Sequence, residues 1–384
     1  MEKNRKKIEI HNCHTHTFLY KDVPSKFLPL GLVRFIAKRS VRIARFLNNI
    51  TPGTDDDVYD RYANFLRLMK CPTQEKSFQY LTRFYPSNAK FVILSMDMNY
   101  MCAGDVPRHF EKQLDELVAL KQKYPTKVFP FIGIDPRRKN IEDLVERYIG
   151  NQGFCGLKLY PPLGYFPYDD RLMSIYKYAE SHGIPIIAHS SKSGPIYSRQ
   201  KKKELIKTIK EGLDPETGIL PSFKYKNEKE LCNYFTHPLN YKILFNKFPK
   251  LKICLAHFGG QSQWTKFLNP STIGICEKNN KQEKEDECWF DIIYDMMKVE
   301  KTLYTDISFT LENRDFFSCL YVILTNPLVQ EQILFGTDFY VVEAEKSERS
   351  FGIDLHGYLG TEVFRLISET NPKKFLSNCL HKNL

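Results

Sequence analysis

The chain has 384 residues, 42% hydrophobic and 26% charged, which excludes a disordered protein and leaves room for one large domain or two ordinary ones. Its net charge of +11 implies an acidic partner (an anionic substrate, a membrane surface or nucleic acid), and the absence of a nucleic-acid-binding motif sets the last aside. Ten cysteines without a CxxC pair argue for a reducing compartment; with no apolar run near the ~20 residues that span a bilayer, and a basic Met1 to Lys7 leading straight into a strand, the expected location is cytoplasmic.

The first element is a strand-like run from Ile8 that ends in His14-Thr15-His16. Strand side chains alternate, so Ile10, Asn12, His14 and His16 are expected on one face, with two imidazoles side by side where the strand stops. A long insertion follows, residues 17–77. Its part from Ser25 to Ile50 has apolar residues at helical spacing (Leu28, Leu32, Phe35, Ile36, Ile43, Phe46) and a cationic face (Arg34, Lys38, Arg42, Arg45). It reads as a lid over the end of the first strand, or as a helix that contacts a membrane or a protein.

From Lys90 strands and helices alternate. Strands are predicted at 91–96, 128–134, 156–160, 184–189, 251–257, 302–307 and 332–338, with helices at 108–123, 141–149, 171–182, 240–248, 288–299, 316–324 and beyond 357. Residues 190–230 form a basic, polar insertion and 261–286 an irregular polar one. Eight strands separated by helices imply parallel pairing and a single α/β domain over 1–384, a (β/α)8 TIM barrel with an inserted lid and loop segments. An open doubly wound sheet fits less well, because no Gly-rich phosphate-binding turn follows the first strand.

Active sites of such barrels collect at the C-terminal strand ends. Those ends carry His14 and His16, Lys158 and Tyr160, His189, His257, Asp306 with Ser308, and Asp338. A single histidine after an apolar run is ordinary packing. Four of them with an aspartate and a lysine on one rim suit a divalent metal.

His14-Thr15-His16, His189 in Ile-Ile-Ala-His-Ser, His257 in Cys-Leu-Ala-His-Phe-Gly-Gly and Asp338 in Phe-Gly-Thr-Asp-Phe resemble the amidohydrolase superfamily. The likeness is to the amidohydrolase-related branch that also holds metal-dependent decarboxylases. Gly156-Leu157-Lys158-Leu159-Tyr160-Pro161 and Asn371-Pro372-Lys373-Lys374-Phe375-Leu376 fit that branch as well. The resemblance covers most of the chain outside the three insertions. It implies a divalent metal, zinc being usual, on His14, His16, His189 and Asp338, with His257 either polarising the substrate or adding a further metal ligand. In binuclear members a lysine at the fourth strand is carboxylated and bridges two metals; in the branch matched here Lys158 instead binds a substrate anion.

The expected activity is that of a metal-dependent hydrolase, with an activated water attacking a C–O or C–N bond of a carbonyl substrate. Asp338 would move the proton and His257 would stabilise the oxyanion. Lys158 and Tyr160 would bind a small, anionic substrate, and Asp306 would orient a histidine or serve as a turn residue. Non-oxidative decarboxylation of an unsaturated or aromatic acid would use the same residues. A non-catalytic barrel serving as a binding module is the third reading.

Overall fold

The protein is described by a computed structural model over residues 7–26, 70–192, 194, 196–221, 227–269, 287–310, 314–339 and 348–381. The predicted lid helix at 25–50 lies outside these residues, apart from Ser25 and Lys26.

Eight parallel strands pair in sequence order: β1 His11–Thr15, β2 Lys90–Leu94, β3 Val128–Ile134, β4 Gly156–Leu159, β5 Ile186–Ser191, β6 Ile253–Gly259, β7 Leu303–Asp306 and β8 Ile333–Leu334. The seam between β8 and β1 is joined by the Cys13 N–H, which donates to the Phe335 carbonyl at 2.9 Å, and by the Asp338 N–H, which donates to the His14 carbonyl at 2.8 Å. The result is the TIM barrel expected from the alternation. Helices between the strands, among them Phe110–Lys123, Met173–Ser181, Tyr241–Lys247, Trp289–Val299 and Phe317–Leu324, form the outer layer.

Alternation along each strand divides the core in two. Phe91 and Ile93 of β2 join the outer core between barrel and helices. Val92 and Leu94 point inward, with Phe129 and Phe131 of β3 and Cys254 and Ala256 of β6. Phe375, Leu376 and Cys379, near the C-terminus, belong to the same inner cluster and plug the barrel at the N-terminal ends of its strands. Every cysteine among the described residues is a free thiol.

Packing inside the barrel is tight enough to dictate a glycine. A Cβ on Gly156 would meet the Phe131 ring at 2.4 Å and the Pro185 carbonyl oxygen at 2.6 Å. Gly156→Ala is therefore expected to lower stability by about 1–3 kcal/mol, read from the urea unfolding midpoint; a midpoint equal to the parent's refutes this packing argument.

Three expectations need correction. The strand at 332–338 shrinks to Ile333–Leu334; the residues after it leave the regular ladder, and Asp338 has a positive φ of 58°. Within 190–230, residues Lys202–Gly212 form an amphipathic helix that buries Leu205 and Ile209; the run of lysines hid two apolar anchors four residues apart. Within 261–286, Gln261–Leu268 is helical. Its anchor is Trp264, fully buried, with its ring 5.3 Å from Phe258 and 4.9 Å from Phe290.

Candidate active site

The geometry starts from an irregularity in β1. Asn12 stands opposite Phe91 and Thr15 opposite Ile93, so Cys13 and His14 together face the single residue Val92. This bulge adds one residue to β1 and breaks its alternation. Cys13 joins the inner cluster, yet the next residue, His14, also reaches the rim, its ring 5.4 Å from His16 and 4.8 Å from His257. Asn12 is left on the outer side, its amide donating to Tyr85 Oη and Thr337 Oγ1 at 2.8 Å each. The expectation that Ile10, Asn12, His14 and His16 share a face is thus wrong for Ile10, which packs on the outer core, and for Asn12: simple alternation takes no account of a bulge.

The strand ends are held in costly backbone conformations. His257 and Phe258 at the end of β6 and Asp338 after β8 have positive φ values of 69°, 43° and 58°. Non-glycine residues seldom adopt this region, and each costs on the order of 1–3 kcal/mol. The surroundings over-determine these turns. The Asp338 N–H is tied to the His14 carbonyl, the His257 N–H donates to Asp306 Oδ1 at 3.0 Å, and Thr310 Oγ1 donates to the His257 carbonyl at 2.6 Å.

Hydrogen bonds to the imidazoles assign their tautomers. His16 Nδ1 donates to the Leu94 carbonyl at 2.9 Å, and His14 Nδ1 donates to Asp306 Oδ2 at 2.8 Å. His257 Nδ1 donates to the Ser308 carbonyl at 3.1 Å, which leaves a lone pair on Nε2. That atom lies 3.1 Å from His189 Nδ1, so His189 Nδ1 is the donor there. His14, His16 and His189 therefore each carry a lone pair on Nε2. His189 Nε2 is buried without a hydrogen-bond partner among the described residues.

Burial keeps the His16, His189 and His257 rings neutral. It pushes His16 down to about 3 and His257 down to about 4, and takes His189 well below the usual imidazole range. Burial also opposes ionisation of Asp306, but His14 and the Ser308 hydroxyl outweigh it and hold that carboxyl well below the usual range. Asp306 is surrounded by donors: His14 Nδ1, the His257 and Ser308 N–H groups and the Ser308 hydroxyl. It orients His14 rather than serving as a turn residue alone.

Asp338 differs. Among the described residues no hydrogen-bond donor engages its carboxylate, and Oδ1 lies 3.6 Å from His16 Nε2. Burial raises its pKa, but His14, His16, His257 and Lys158 together bring it below the usual carboxylate range.

His14, His16 and Asp338 place ligand atoms within 4.8 Å of one another, as do His14, His257 and Asp306. The second group is already consumed by its own hydrogen bonds. The first has free lone pairs and a carboxylate with no donor, a donor set suited to a divalent cation. His189 falls outside both groups, although its bare Nε2 lies in the same ring cluster, with His257 centred 4.7 Å away.

Lys158, on β4, is buried, and its Nζ has no hydrogen-bond partner among the described residues. Desolvation lowers its pKa to about 8, against the pull of Asp306 and Asp338. It lines a narrow pocket with Ser95, Asp97, Asp135, Tyr160 and Tyr165. The Tyr160 ring lies 4.5 Å from His189, and Lys158 Nζ is 5.8 Å from its centroid.

All the rim residues picked from the sequence therefore converge at the C-terminal mouth of the barrel. Ser308, read with Asp306 at the end of its strand, is among them; two arginine–aspartate pairs nearby were not picked. Ser308 Oγ lies 3.0 Å from His257 Nδ1 and 3.2 Å from His14 Nδ1. Arg138 forms a bidentate pair with Asp97 after β2, and Arg137 does so with Asp135 after β3. Asp135-Pro136-Arg137-Arg138 directly after a strand was the available signal.

Comparison with known proteins agrees with this architecture. No curated protein matches the chain by sequence. Among solved structures, an uncharacterized TIM-barrel protein from Bordetella bronchiseptica is 14% identical, covers 97% of this chain and 99% of its own, and has a TM-score of 0.54. The 5-carboxyvanillate decarboxylase of Novosphingobium aromaticivorans, with bound manganese and a nitrobenzoic acid, is 11% identical, with 97% and 98% covered and a TM-score of 0.55. The 2,6-dihydroxybenzoate decarboxylase of Rhizobium is 13% identical, with 97% and 99% covered and a TM-score of 0.53. At these identities the likeness is one of fold. No helix among the described residues is long and apolar enough to cross a membrane. The sequence profile described as Amidohydrolase matches residues 101–377, well over half of the chain, and the chain belongs to that family.

Proposed function

We propose that the protein is a metal-dependent hydrolase of a small carbonyl compound bearing a carboxylate, working as one domain. The observation that carries this reading is Asp338: a mostly covered carboxylate, its side chain 13% exposed, held below the usual carboxylate range and bonded by no donor among the described residues, beside the bare Nε2 of His16. His14, His16, His189 and Asp338 would hold one divalent cation, zinc or manganese. When bound, it supplies Lewis-acid activation of water and of the substrate oxygen.

The rest is the work of the side chains. Asp338 accepts a proton from the attacking water and returns it to the leaving group. His257 keeps His189 in its metal-facing tautomer by accepting its Nδ1 hydrogen; with its own Nδ1 bonded to the Ser308 carbonyl and no hydrogen on Nε2, it acts by positioning His189 rather than as the expected oxyanion donor. Asp306 and Ser308 fix His14 and His257. Lys158, desolvated and unbonded, takes the substrate carboxylate, and Tyr160 packs on its apolar part. The buried mouth excludes bulk water, which strengthens each of these interactions.

A second reading is non-oxidative decarboxylation of an aromatic or unsaturated acid. It is favoured by the decarboxylases among the similar folds, one of them holding manganese and a benzoic acid derivative. Product analysis on a panel of carboxylate-bearing lactones, amides and hydroxybenzoates separates the two. Release of carbon dioxide without hydrolysis of any panel member would replace the hydrolase reading.

Lys158 gives a sharper test. Lys158→Met is expected to leave the metal content at that of the parent and to raise KM for carboxylate substrates by ~10-fold or more, with a smaller change in kcat. Two ions per chain in the parent, one of them lost in Lys158→Met, would instead show a metal-bridging lysine.

A further inference from the structure

A buried polar cluster lies on the outer side of the barrel, behind the β8–β1 seam. It consists of Asn12, Tyr85, Thr337 and Glu348. Asn12, Thr337 and Glu348 are fully or almost fully buried. Asn12 and Thr337 flank the candidate metal ligands, two residues before His14 and one before Asp338. Glu348 begins the helix Glu348–Arg365 that follows β8.

The hydrogen bonds in this cluster run in one direction. Asn12 Oδ1 accepts the His14 N–H at 3.2 Å across the bulge, so the Asn12 amide nitrogen must be the donor on its other side. It donates to Tyr85 Oη and to Thr337 Oγ1, each at 2.8 Å, and more weakly to Glu348 at 3.4 Å. Each hydroxyl has then accepted a hydrogen and passes on its own. Tyr85 donates to Glu348 Oε1 at 2.5 Å and Thr337 donates to the same oxygen at 2.7 Å. Both chains end on one oxygen, and an acceptor is needed there. Tyr85 is held in its neutral, donating form by burial and by Glu348, which raise its pKa well above the usual value.

The consequence reaches the mouth through the backbone. The His14 carbonyl accepts the Asp338 N–H, and Asn12, His14, Asp338 and Thr337 thereby close a ring of contacts around the seam. That ring stabilises the bulge that turns His14 inward and the positive φ that aims Asp338. The approach is close: a Cβ on Gly336 would meet the His14 Cβ at 2.8 Å.

We propose that Glu348 is a positioning residue for the metal ligands His14 and Asp338. It acts from outside the barrel as the common acceptor for Tyr85 and Thr337. The inference rests on the metal-site reading above. Removing such an outer partner of metal ligands typically costs ~10–100-fold in metal affinity.

The test is the dissociation constant for Zn²⁺ and for Mn²⁺ alone, measured by chelator competition at a temperature where circular dichroism shows every variant folded. Glu348→Leu removes the acceptor and is expected to weaken binding by ~10–100-fold. Thr337→Val, which keeps the shape and removes one hydroxyl, is expected to weaken it in the same direction. Glu348→Gln keeps an acceptor oxygen and is expected to stay within about threefold of the parent, since it preserves the ends of both chains. If Glu348→Leu does not fold, Thr337→Val decides. Parent-like affinity in Glu348→Leu and Thr337→Val, even with a lowered melting temperature, overturns this inference while leaving the metal site in place. Equal loss in Gln and Leu variants overturns the acceptor role. A parent that binds neither ion overturns the metal reading itself.

Discussion

His14→Ala/His16→Ala is expected to leave the protein folded and without metal. The parent should carry about one divalent ion per chain, and the double variant close to none, by elemental analysis after dialysis. The loss should be large because two of the four candidate ligands are removed together. Both Nε2 lone pairs are set by partners on the far side of the ring, the Leu94 carbonyl for His16 and Asp306 for His14. With the rings gone, Asp306 loses one of its donors, but the His257 and Ser308 N–H groups still bond it. The barrel should thus survive. Full metal occupancy in the double variant would move the site elsewhere on the rim, towards His189 and His257.

Exchanging Asp338 for Asn is expected to reduce turnover by ~10²–10⁴-fold with the fold intact. The change keeps the shape and one oxygen but removes the charge and most of the basicity. The sign of the pH effect follows from the environment. Burial raises the Asp338 pKa, the neighbouring His14, His16, His257 and Lys158 lower it, and the net displacement is downward. Asp338 is therefore the ionised base over the neutral range. In the parent, activity falls only as acid protonates it, and that acid limb should vanish in the Asn variant. His257→Asn should show a different signature: metal retained and a fall mainly in kcat, since the amide oxygen can still accept the His189 hydrogen but a shorter side chain holds that ring less well. Near-normal turnover in Asp338→Asn, or metal loss in His257→Asn, would end this division of roles.

Much of this protein follows from local rules applied to the chain. The eight strands are legible because apolar runs of strand length recur between helical repeats, and parallel strands buried on both faces are apolar throughout. β3 comes out at Val128–Ile134, as its run suggests. The rim is legible because strand ends are where a (β/α)8 barrel exposes side chains, so His14, His16, Lys158, His189, His257 and Asp338 could be read off in order.

Tertiary structure decided the rest. The bulge that turns His14 inward arises where β1 pairs with β2 and closes on β8, a relation between residues more than 300 apart along the chain. After the short β8, Asp338 takes a positive φ that is stabilised by the His14 carbonyl. The helices at Lys202–Gly212 and Gln261–Leu268 form because Leu205, Ile209 and Trp264 find a core to enter; their polar composition alone reads as loop. Which imidazole nitrogen carries a hydrogen depends on carbonyls and carboxylates brought in from other strands, as Leu94 is to His16 and Asp306 to His14. Local sequence specifies which groups reach the mouth; long-range pairing specifies where their lone pairs point.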